Sequence, residues 1–359
     1  MTPVARPIRA EVSLEALRHN YAVAKQYAPH SRVLAVVKAN GYGHGIERVS
    51  RALGPVDGFA TLEIDGAVAL RDRGFAGEIL LMEGFFEEHE LTELFRARLA
   101  TAVHCEEQLR MLESAAAGEA LDVYLKVNTG MNRLGFTPGA ALAALDRLQA
   151  SGRARTVTLM SHFANADGPQ GVAEAVRRFE DAFPGVRLPR SLANSAAIFA
   201  HPETHHQTVR EGIALYGATP FAGRPAAALG LRPAMTLRSR LIAVQSIEAG
   251  ETVGYGSTYR AGRPMRIGVV ACGYADGYPR HAPNGTPVLV EGERVPIAGR
   301  VSMDMLTVDL SAVPGAHVGS EVTLWGSGLA VDEVAACAGT VGYEVLCAVA
   351  PRVPIVEVA

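Results

Sequence analysis

Eight short apolar runs recur through the first two thirds of the chain, most of them roughly 20–35 residues apart, and they constrain the fold more than any other feature. Amphipathic helical patterns separate them, as at Leu109–Ala117, Ala140–Ala150 and Val172–Phe183. Eight strand–helix units close a TIM barrel, for which about 230 residues is a normal size. We therefore predict a TIM (β/α)8 barrel; a doubly wound open sheet is the alternative and would require a reversal of strand order. The runs are Val33–Val37, Gly58–Leu62, Ile79–Met82, Thr101–His104, Val123–Val127, Val157–Ser161, Ser191–Ala193 and Thr208–Val209.

The pattern changes after Leu229. From Met235 onward short β-runs alternate with glycine-containing turns, and helical periodicity is largely confined to Val331–Ala338 and Tyr343–Ala350. Regular turns between short strands are typical of an antiparallel sheet. We therefore predict a barrel domain over residues 1–230 and a mainly antiparallel β domain over 231–359, joined by the linker Ala222–Gly230. Within this division, the first few residues of the chain are candidates for pairing with the second domain.

Composition excludes several classes of function. The net charge of −3 and the pI near 6.4 argue against a nucleic-acid partner, which requires a basic face. Four scattered cysteines, without a C-x-x-C pair, are typical of a reduced intracellular protein. We expect a cytoplasmic protein without a membrane segment, since no run of about 18 apolar residues is present. His201 and His205 lie in H-P-E-T-H, which is not a zinc motif, so no metal is expected.

The most informative segment is 33–45, which reads VLAVVKANGYGHG. A buried strand here would deliver Lys38 to the mouth of the barrel, where barrel enzymes place their chemistry. A desolvated lysine loses its proton more easily and becomes a nucleophile that forms Schiff bases. On residue type and position alone, a surface lysine just past a strand and flanked by a turn is the somewhat better interpretation. The lysine precedes the glycines, which excludes a P-loop, and the spacing does not fit G-x-G-x-x-G.

This segment resembles the cofactor-lysine motif of alanine racemases. The resemblance continues in order through both predicted domains, so the ordered set is far more specific than any one motif. Its other members are LKVNTGMNRLGF (125–136), SHFANAD (161–167), ANSAA (193–197), VREGIALYG (209–217), VGYGSTY (253–259), GYADGYPR (273–280), GRVSMDM (299–305) and YEVLC (343–347).

The resemblance implies that Lys38 holds pyridoxal 5'-phosphate as a Schiff base. Its phosphate would be bound by neutral donors, which suit a buried dianion. The implied donors are the hydroxyls of Tyr42, Ser195 and Tyr343 and the backbone amides of Gly212 and Ile213. Without the resemblance, Ser195 in N-S-A-A would be more typical of a helix cap.

The resemblance also places Arg210 at the pyridine nitrogen, where many related enzymes have a carboxylate. Arginine does not accept the ring proton, so less negative charge is delocalised into the ring and reprotonation at the α carbon is favoured over transamination. Lys38 is expected to act as the base for D-alanine. Tyr255, supplied by the second copy of a homodimer and contacting His162, is expected to act as the base for L-alanine. Without the resemblance, Arg210 fits a barrel salt bridge and Tyr255 a packed loop aromatic.

Arg133 matches the arginine that binds the cofactor's phenolic oxygen and the substrate carboxylate. Lys126 matches a lysine that is carbamylated in many family members, although Asn128 stands where aspartate is common. Met303, through its amide, and Asp304 are expected to orient the substrate carboxylate. The residues expected along a narrow entrance corridor are Tyr274, Arg280, Arg300 and Asp167.

The resemblance implies interconversion of L- and D-alanine, either for peptidoglycan synthesis or for alanine catabolism. Three alternatives use a similar scaffold. A non-catalytic carrier of the cofactor would lack the β domain, and a decarboxylase of basic amino acids would need a different cysteine-bearing C-terminal motif. A broad-specificity racemase would usually carry an export signal, which is not seen at this N-terminus.

Overall fold

The computed structural model describes residues 6–115 and 120–358. The first strand, β1 (Arg9–Ser13), lies outside an eight-stranded parallel sheet whose spatial order is β8-β7-β6-β5-β4-β3-β2-β9. This sheet overlaps all eight predicted runs. Its strands are β2 (Arg32–Val36), β3 (Gly58–Thr61), β4 (Glu78–Leu81), β5 (Ala100–Val103), β6 (Leu121–Lys126), β7 (Ala154–Met160), β8 (Arg190–Ser191) and β9 (Thr208–Glu211).

The sheet closes into a barrel. β2 pairs with β3 on one side and with β9 on the other, for example Val33 with Val209. Between β8 and β9, the Arg210 amide donates to the Ala193 carbonyl over 3.0 Å. The described strands follow one another around the sheet in chain order, which confirms the TIM-like barrel. The open-sheet alternative is wrong, because it requires a reversal of strand order that these strands do not show.

Amphipathic helices cover the barrel, and their caps follow local chemistry. Ser13 caps the first helix by accepting a hydrogen bond from the Ala16 amide over 3.1 Å, and Pro138 occupies the first turn of another helix. The three predicted helices are observed, although the end of the one predicted over 109–117 lies outside the described residues. The barrel-domain helices are Leu14–Tyr27, Ile46–Leu53, Ile64–Asp72, Glu90–Arg96, Glu106–Ser114, Pro138–Ala150, Ala173–Ala182 and Ser195–Ala200.

The rest of the chain forms a mostly antiparallel sheet with two helices, Val331–Cys337 and Gly342–Cys347. β1 belongs to this sheet, since it pairs antiparallel with β10 (Met235–Ile247) and parallel with β18 (Ile355–Val358). The later strands are β10 (Met235–Ile247), β11 (Thr252–Val253), β12 (Tyr259–Arg260), β13 (Met265–Val270), β14 (Pro287–Val290), β15 (Glu293–Pro296), β16 (Leu306–Asp309), β17 (Glu321–Trp325) and β18 (Ile355–Val358).

A buried asparagine joins the two parts of the chain. The Asn20 side chain is fully buried and donates to the carbonyls of Leu215 and Arg232, and it accepts from the Arg232 amide over 2.8 Å. The short 3₁₀ helix Ala226–Leu229 ends at Gly230, whose φ of 77° is left-handed. We propose that the domains divide at Gly230. Among the described residues, no helix is long and apolar enough to cross a bilayer.

Candidate active site

Lys38 follows β2 directly, at the carboxyl end of the barrel. The five residues before it, 33–37, are each at most 5% exposed, whereas Lys38 itself is only partly buried. The chain then makes a left-handed turn in which Ala39, Asn40, Gly41 and Tyr42 all have φ between 49° and 63°. Left-handed backbone costs an L-residue about 1–2 kcal/mol, so surrounding contacts must stabilise this turn.

Two side chains hold the left-handed turn in place. Glu63, just after β3, accepts a hydrogen bond from the Ala39 amide over 3.3 Å, and Asn40 accepts one from the Ile46 amide over 3.0 Å. Sequence reasoning missed Glu63. The sequence feature that could have identified Glu63 is an acidic residue directly after a buried strand, at the same barrel end as Lys38.

Hydroxyl and amide groups converge around Gly212. The Gly212 amide donates to Ser195 Oγ over 2.8 Å, and a Cβ built on Gly212 would lie 3.1 Å from Tyr42 Oη. Tyr343 comes from the second domain, and its ring centroid lies 6.1 Å from that of Tyr42. Burial raises the pKa of Tyr42, which keeps its hydroxyl protonated and able to donate. The group has the neutral donors that a phosphate-sized anion needs.

Ser195 is not the cap of its helix. Asn194 fills that position by accepting a hydrogen bond from the Ala197 amide over 3.1 Å. The Ser195 hydroxyl faces Gly212 instead. Tyr216, which the sequence did not single out, supports this arrangement because its ring stacks on Tyr42 at 4.6 Å and its hydroxyl donates to the Val36 carbonyl.

Arg210 is buried in the barrel with no carboxylate among its hydrogen-bond partners in the described chain. Nη1 donates to the carbonyl and hydroxyl of Ser191, and Nη2 donates to the Ser161 and Leu192 carbonyls and to His162 Nδ1. Burial lowers the pKa of Arg210 to about 10, which still leaves it charged at neutral pH. The barrel salt bridge considered from sequence is therefore wrong, and Arg210 is a fixed cation facing the site.

Lys126 and Arg133 line a small pocket of about 10 Å³ together with His162 and Asn128. Lys126 is 6% exposed, and burial, assisted by Arg210 and Arg133, lowers its pKa to about 8. Burial next to the same arginines holds the pKa of His162 well below its ordinary value. Asn128 Oδ1 accepts hydrogen bonds from the Gly130 and Asn132 amides and so orders its own loop.

Apart from Asp167, which follows β7 in the barrel domain, the other predicted residues lie on the β domain, and the described chain shows no contact between them and Lys38. Tyr255 is 74% exposed, at the start of a 3₁₀ turn, and lines an open cleft with Arg300 and Met305. Met303 and Tyr274 are also exposed. The structure thus brings together the predicted barrel residues and Tyr343, and it leaves Tyr255 on an outer surface.

Comparisons with known proteins agree with this architecture. Residues 12–220 match the family description "Alanine racemase, N-terminal domain", and residues 234–357 match "Alanine racemase, C-terminal domain". The two matches define an enzyme with a barrel and a β domain. The chain belongs to the alanine racemase family, whose members interconvert L- and D-alanine.

Individual relatives match over nearly their whole length. An alanine racemase from Paraburkholderia phytofirmans is 55% identical over 98% of this chain and 99% of its own. A catabolic alanine racemase from Klebsiella aerogenes is 53% identical with the same coverage. The crystal structure of the biosynthetic alanine racemase from Pseudomonas aeruginosa superposes with a TM-score of 0.96, at 48% identity over 99% of this chain and 100% of that one. The relatives of this chain therefore include both catabolic and biosynthetic alanine racemases.

Proposed function

We propose that this chain is a homodimeric, pyridoxal-phosphate-dependent alanine racemase that uses Lys38 and the partner subunit's Tyr255 as opposed bases. The observation that carries the proposal is the buried, carboxylate-free Arg210 on the same barrel end as Lys38 and the neutral donors around Gly212. Either cell-wall synthesis or alanine breakdown would draw on this chemistry, and we propose a cytoplasmic setting for it.

The donor set fits pyridoxal phosphate at both ends. Lys38 Nζ would hold it covalently, and the hydroxyls of Tyr42, Ser195 and Tyr343 would bind its phosphate with the amides of Gly212 and Ile213. When bound, this cofactor supplies an electron sink that acidifies the α-hydrogen of an amino acid.

Arg210 would determine how much negative charge the ring of the bound cofactor accepts. Its protein partners occupy Nη1 and Nη2, and no described residue is bonded to Nε, which is left for a pyridine nitrogen. A guanidinium that stays charged at neutral pH has no lone pair for the ring proton. With the cofactor bound, Arg210 would therefore leave more negative charge at the α carbon, where a nearby acid would return the proton quickly, and this would favour racemisation over transamination.

Two bases on opposite faces complete the reaction. Once the amino group of alanine has displaced it from the cofactor, the free Lys38 Nζ would remove the α-proton of D-alanine and return one to form it. Tyr255 of the partner subunit would do the same on the other face for L-alanine. Exposure of Tyr255 on the β domain supports this division, because an exposed base needs a second surface to exclude water from it.

Substrate binding uses positive charge from the barrel and an amide from the β domain. Arg133 would hold the cofactor's phenolic oxygen and the carboxylate of alanine, to which the Met303 amide also donates. We propose that Lys126 is carbamylated and supports Arg133, because a lowered pKa leaves part of its amine neutral and able to react with carbon dioxide. Tyr274, Arg280, Arg300 and Asp167 would form the entrance corridor.

A chiral assay over a panel of L-amino acids tests the function, and we expect conversion of alanine above all others. Borohydride reduction of the yellow protein, followed by peptide mapping, should label Lys38. The matched control is Lys126→Arg, which should leave that label in place. A label on Lys126, or a broad substrate range, would contradict the proposal.

A further inference from the structure

Four charged side chains form a cluster on the β domain, at the side where Tyr274 and Met303 are exposed. Arg352 donates from Nε to Asp276 over 2.8 Å and from Nη2 to Asp304 over 2.7 Å. Arg6 donates to the same two carboxylates, over 3.2 and 3.3 Å, and to the Asp304 carbonyl over 2.9 Å. Two arginines therefore bridge two aspartates that are 28 positions apart in the sequence. We call these residues the Asp276 cluster.

The Asp276 cluster sits where two loops are joined by backbone hydrogen bonds. The amide of Tyr274 donates to the Ser302 carbonyl, and the amide of Ala275 donates to the Met303 carbonyl, each over 3.0 Å. A Cβ on Gly273 would lie 2.3 Å from the Ser302 carbonyl oxygen, so the loops approach as closely as glycine permits. Any shift of one loop must therefore move the other.

Asp276 is the buried member of the cluster. It is 1% exposed, and besides the two arginines it accepts a hydrogen bond from the Gly273 amide over 2.9 Å. A buried carboxylate is tolerated when it is paired and fully hydrogen-bonded, as here. Arg352 donates one hydrogen bond to each of the two carboxylates from a single planar guanidinium, which fixes their separation more rigidly than a single contact could.

Asp304 accepts hydrogen bonds from both arginines of the cluster. The hydrogen bond from Arg352 holds the pKa of the Asp304 carboxyl below its ordinary value, so it is ionised at neutral pH. An ionised carboxylate repels the carboxylate of an amino acid, and Arg352 and Arg6 both donate to Oδ1 of Asp304. The part of this loop suited to a substrate carboxylate is the neighbouring Met303 amide.

We propose that Arg352, Asp276 and Asp304 are positioning residues that fix the 302–305 loop, so that the Met303 amide meets the carboxylate of alanine. Asp304 acts through Arg352 and does not touch the substrate. This inference rests on the proposed function. It assigns roles to Arg352, Arg6 and Asp276, for which sequence reasoning had none, and it changes the role expected of Asp304.

The test compares Asp304→Asn, Arg352→Gln and the double variant in the cofactor-loaded enzyme. The Met303 amide binds substrate and transition state alike, so KM for both alanine enantiomers should rise about tenfold while kcat changes little. Because the two side chains act as one pair, the double variant should be no worse than Arg352→Gln alone. Arg352→Lys should restore part of the loss. The cofactor absorbance should stay as in the unmodified enzyme, because the barrel residues are unchanged.

A matched control is Arg294→Gln, which removes an exposed ion pair to Glu333 elsewhere in the β domain and should leave KM unchanged. If Asp304 touched alanine directly, Asp304→Asn would raise KM and Arg352→Gln would not. Unchanged KM in both single variants, or additive losses in the double variant, would also overturn the inference. Melting temperatures identify a variant that fails to fold, and Asp304→Asn, which alters an exposed residue, remains informative in that case. Failure of the unmodified enzyme to racemise alanine would instead contradict the proposed function.

Discussion

Arg210 donates a hydrogen bond from Nη2 to Nδ1 of His162 across 3.4 Å. Because a guanidinium nitrogen only donates, Nδ1 of His162 must be the unprotonated ring nitrogen, and Nε2 must carry the proton. Burial, with the charges of Arg210 and Arg133, holds the pKa of His162 well below its ordinary value, so the ring stays neutral. His162 can then donate from Nε2 to a tyrosinate, which is what the partner subunit's Tyr255 would need.

Arg210→Glu should change the reaction as well as slow it. A carboxylate favours a protonated pyridine nitrogen, which draws charge into the ring and away from the α carbon. We expect racemisation to fall by at least about tenfold and pyruvate to accumulate from side transamination. Chiral chromatography and a pyruvate assay on the same samples measure both effects.

Loss of the His162 contact is the confounding effect of that substitution. Ser191→Ala is the control, since it removes one acceptor of Arg210 Nη1 and keeps the positive charge. It should produce no pyruvate. If Arg210→Glu also produces none, Arg210 is only a structural partner of His162 and our account of reaction specificity is wrong.

Tyr255→Phe should affect the two enantiomers unequally. The phenol is lost on one face, whereas Lys38 remains on the other. Exchange of the α-proton of L-alanine with solvent should fall far more than exchange from D-alanine, as followed by NMR in D₂O. Equal losses for both enantiomers would indicate a single-base mechanism.

Complementation tests whether Tyr255 acts across a subunit interface. A Lys38→Ala chain and a Tyr255→Phe chain are each expected to be nearly inactive. Mixed dimers should regain activity, because one of their two sites has both bases intact. Mass spectrometry of the intact dimers verifies subunit exchange. Verified exchange without recovery would place both bases in one chain.

The barrel was predictable because most of its strands lie in short apolar runs. The buried strand before Lys38 is one such run, so its position at the barrel mouth followed from sequence. The left-handed turn after it was not predicted, because Ala39 and Tyr42 carry no sequence signal for positive φ, although Asn40 tolerates it. That conformation depends on Glu63, which is distant in sequence.

The candidate site was predictable only through the resemblance. Ser195 by itself suggested a helix cap, and contact with Gly212 depends on how β8 and β9 meet in space. The Asp276 cluster was missed because its residues are dispersed between positions 6 and 352 and only tertiary structure brings them together. Tyr255 lies on an exposed surface of the β domain, which we propose is covered by a second chain.

Carbamylation of Lys126 should depend on pH in a definite direction. The neutral amine reacts with carbon dioxide, and with a pKa of about 8 roughly a quarter of Lys126 is neutral at pH 7.5, compared with about 0.1% for an ordinary lysine. Labelling with ¹³C-bicarbonate should give a carbamate NMR signal that weakens as the pH falls from 8 to about 6, since protonation removes the reactive amine. Lys126→Arg should abolish the signal. A signal that persists in that variant would belong to another lysine.

Gly43→Ala should separate the cost of a left-handed backbone from the cost of a lost domain contact. Gly43 has φ of 81°, and an added Cβ would lie 2.4 Å from the Leu346 carbonyl oxygen, in the helix that carries Tyr343. Gly74→Ala is the matched control, since its φ is 88° and nothing lies within 4 Å of an added Cβ. The control should lose about 1 kcal/mol of unfolding free energy, and Gly43→Ala clearly more. Because the clash pushes Tyr343 away from Tyr42, only Gly43→Ala should also weaken cofactor binding, measured by fluorescence titration. Equal effects of the two substitutions would mean that the contact between Gly43 and Leu346 does not hold the phosphate site together.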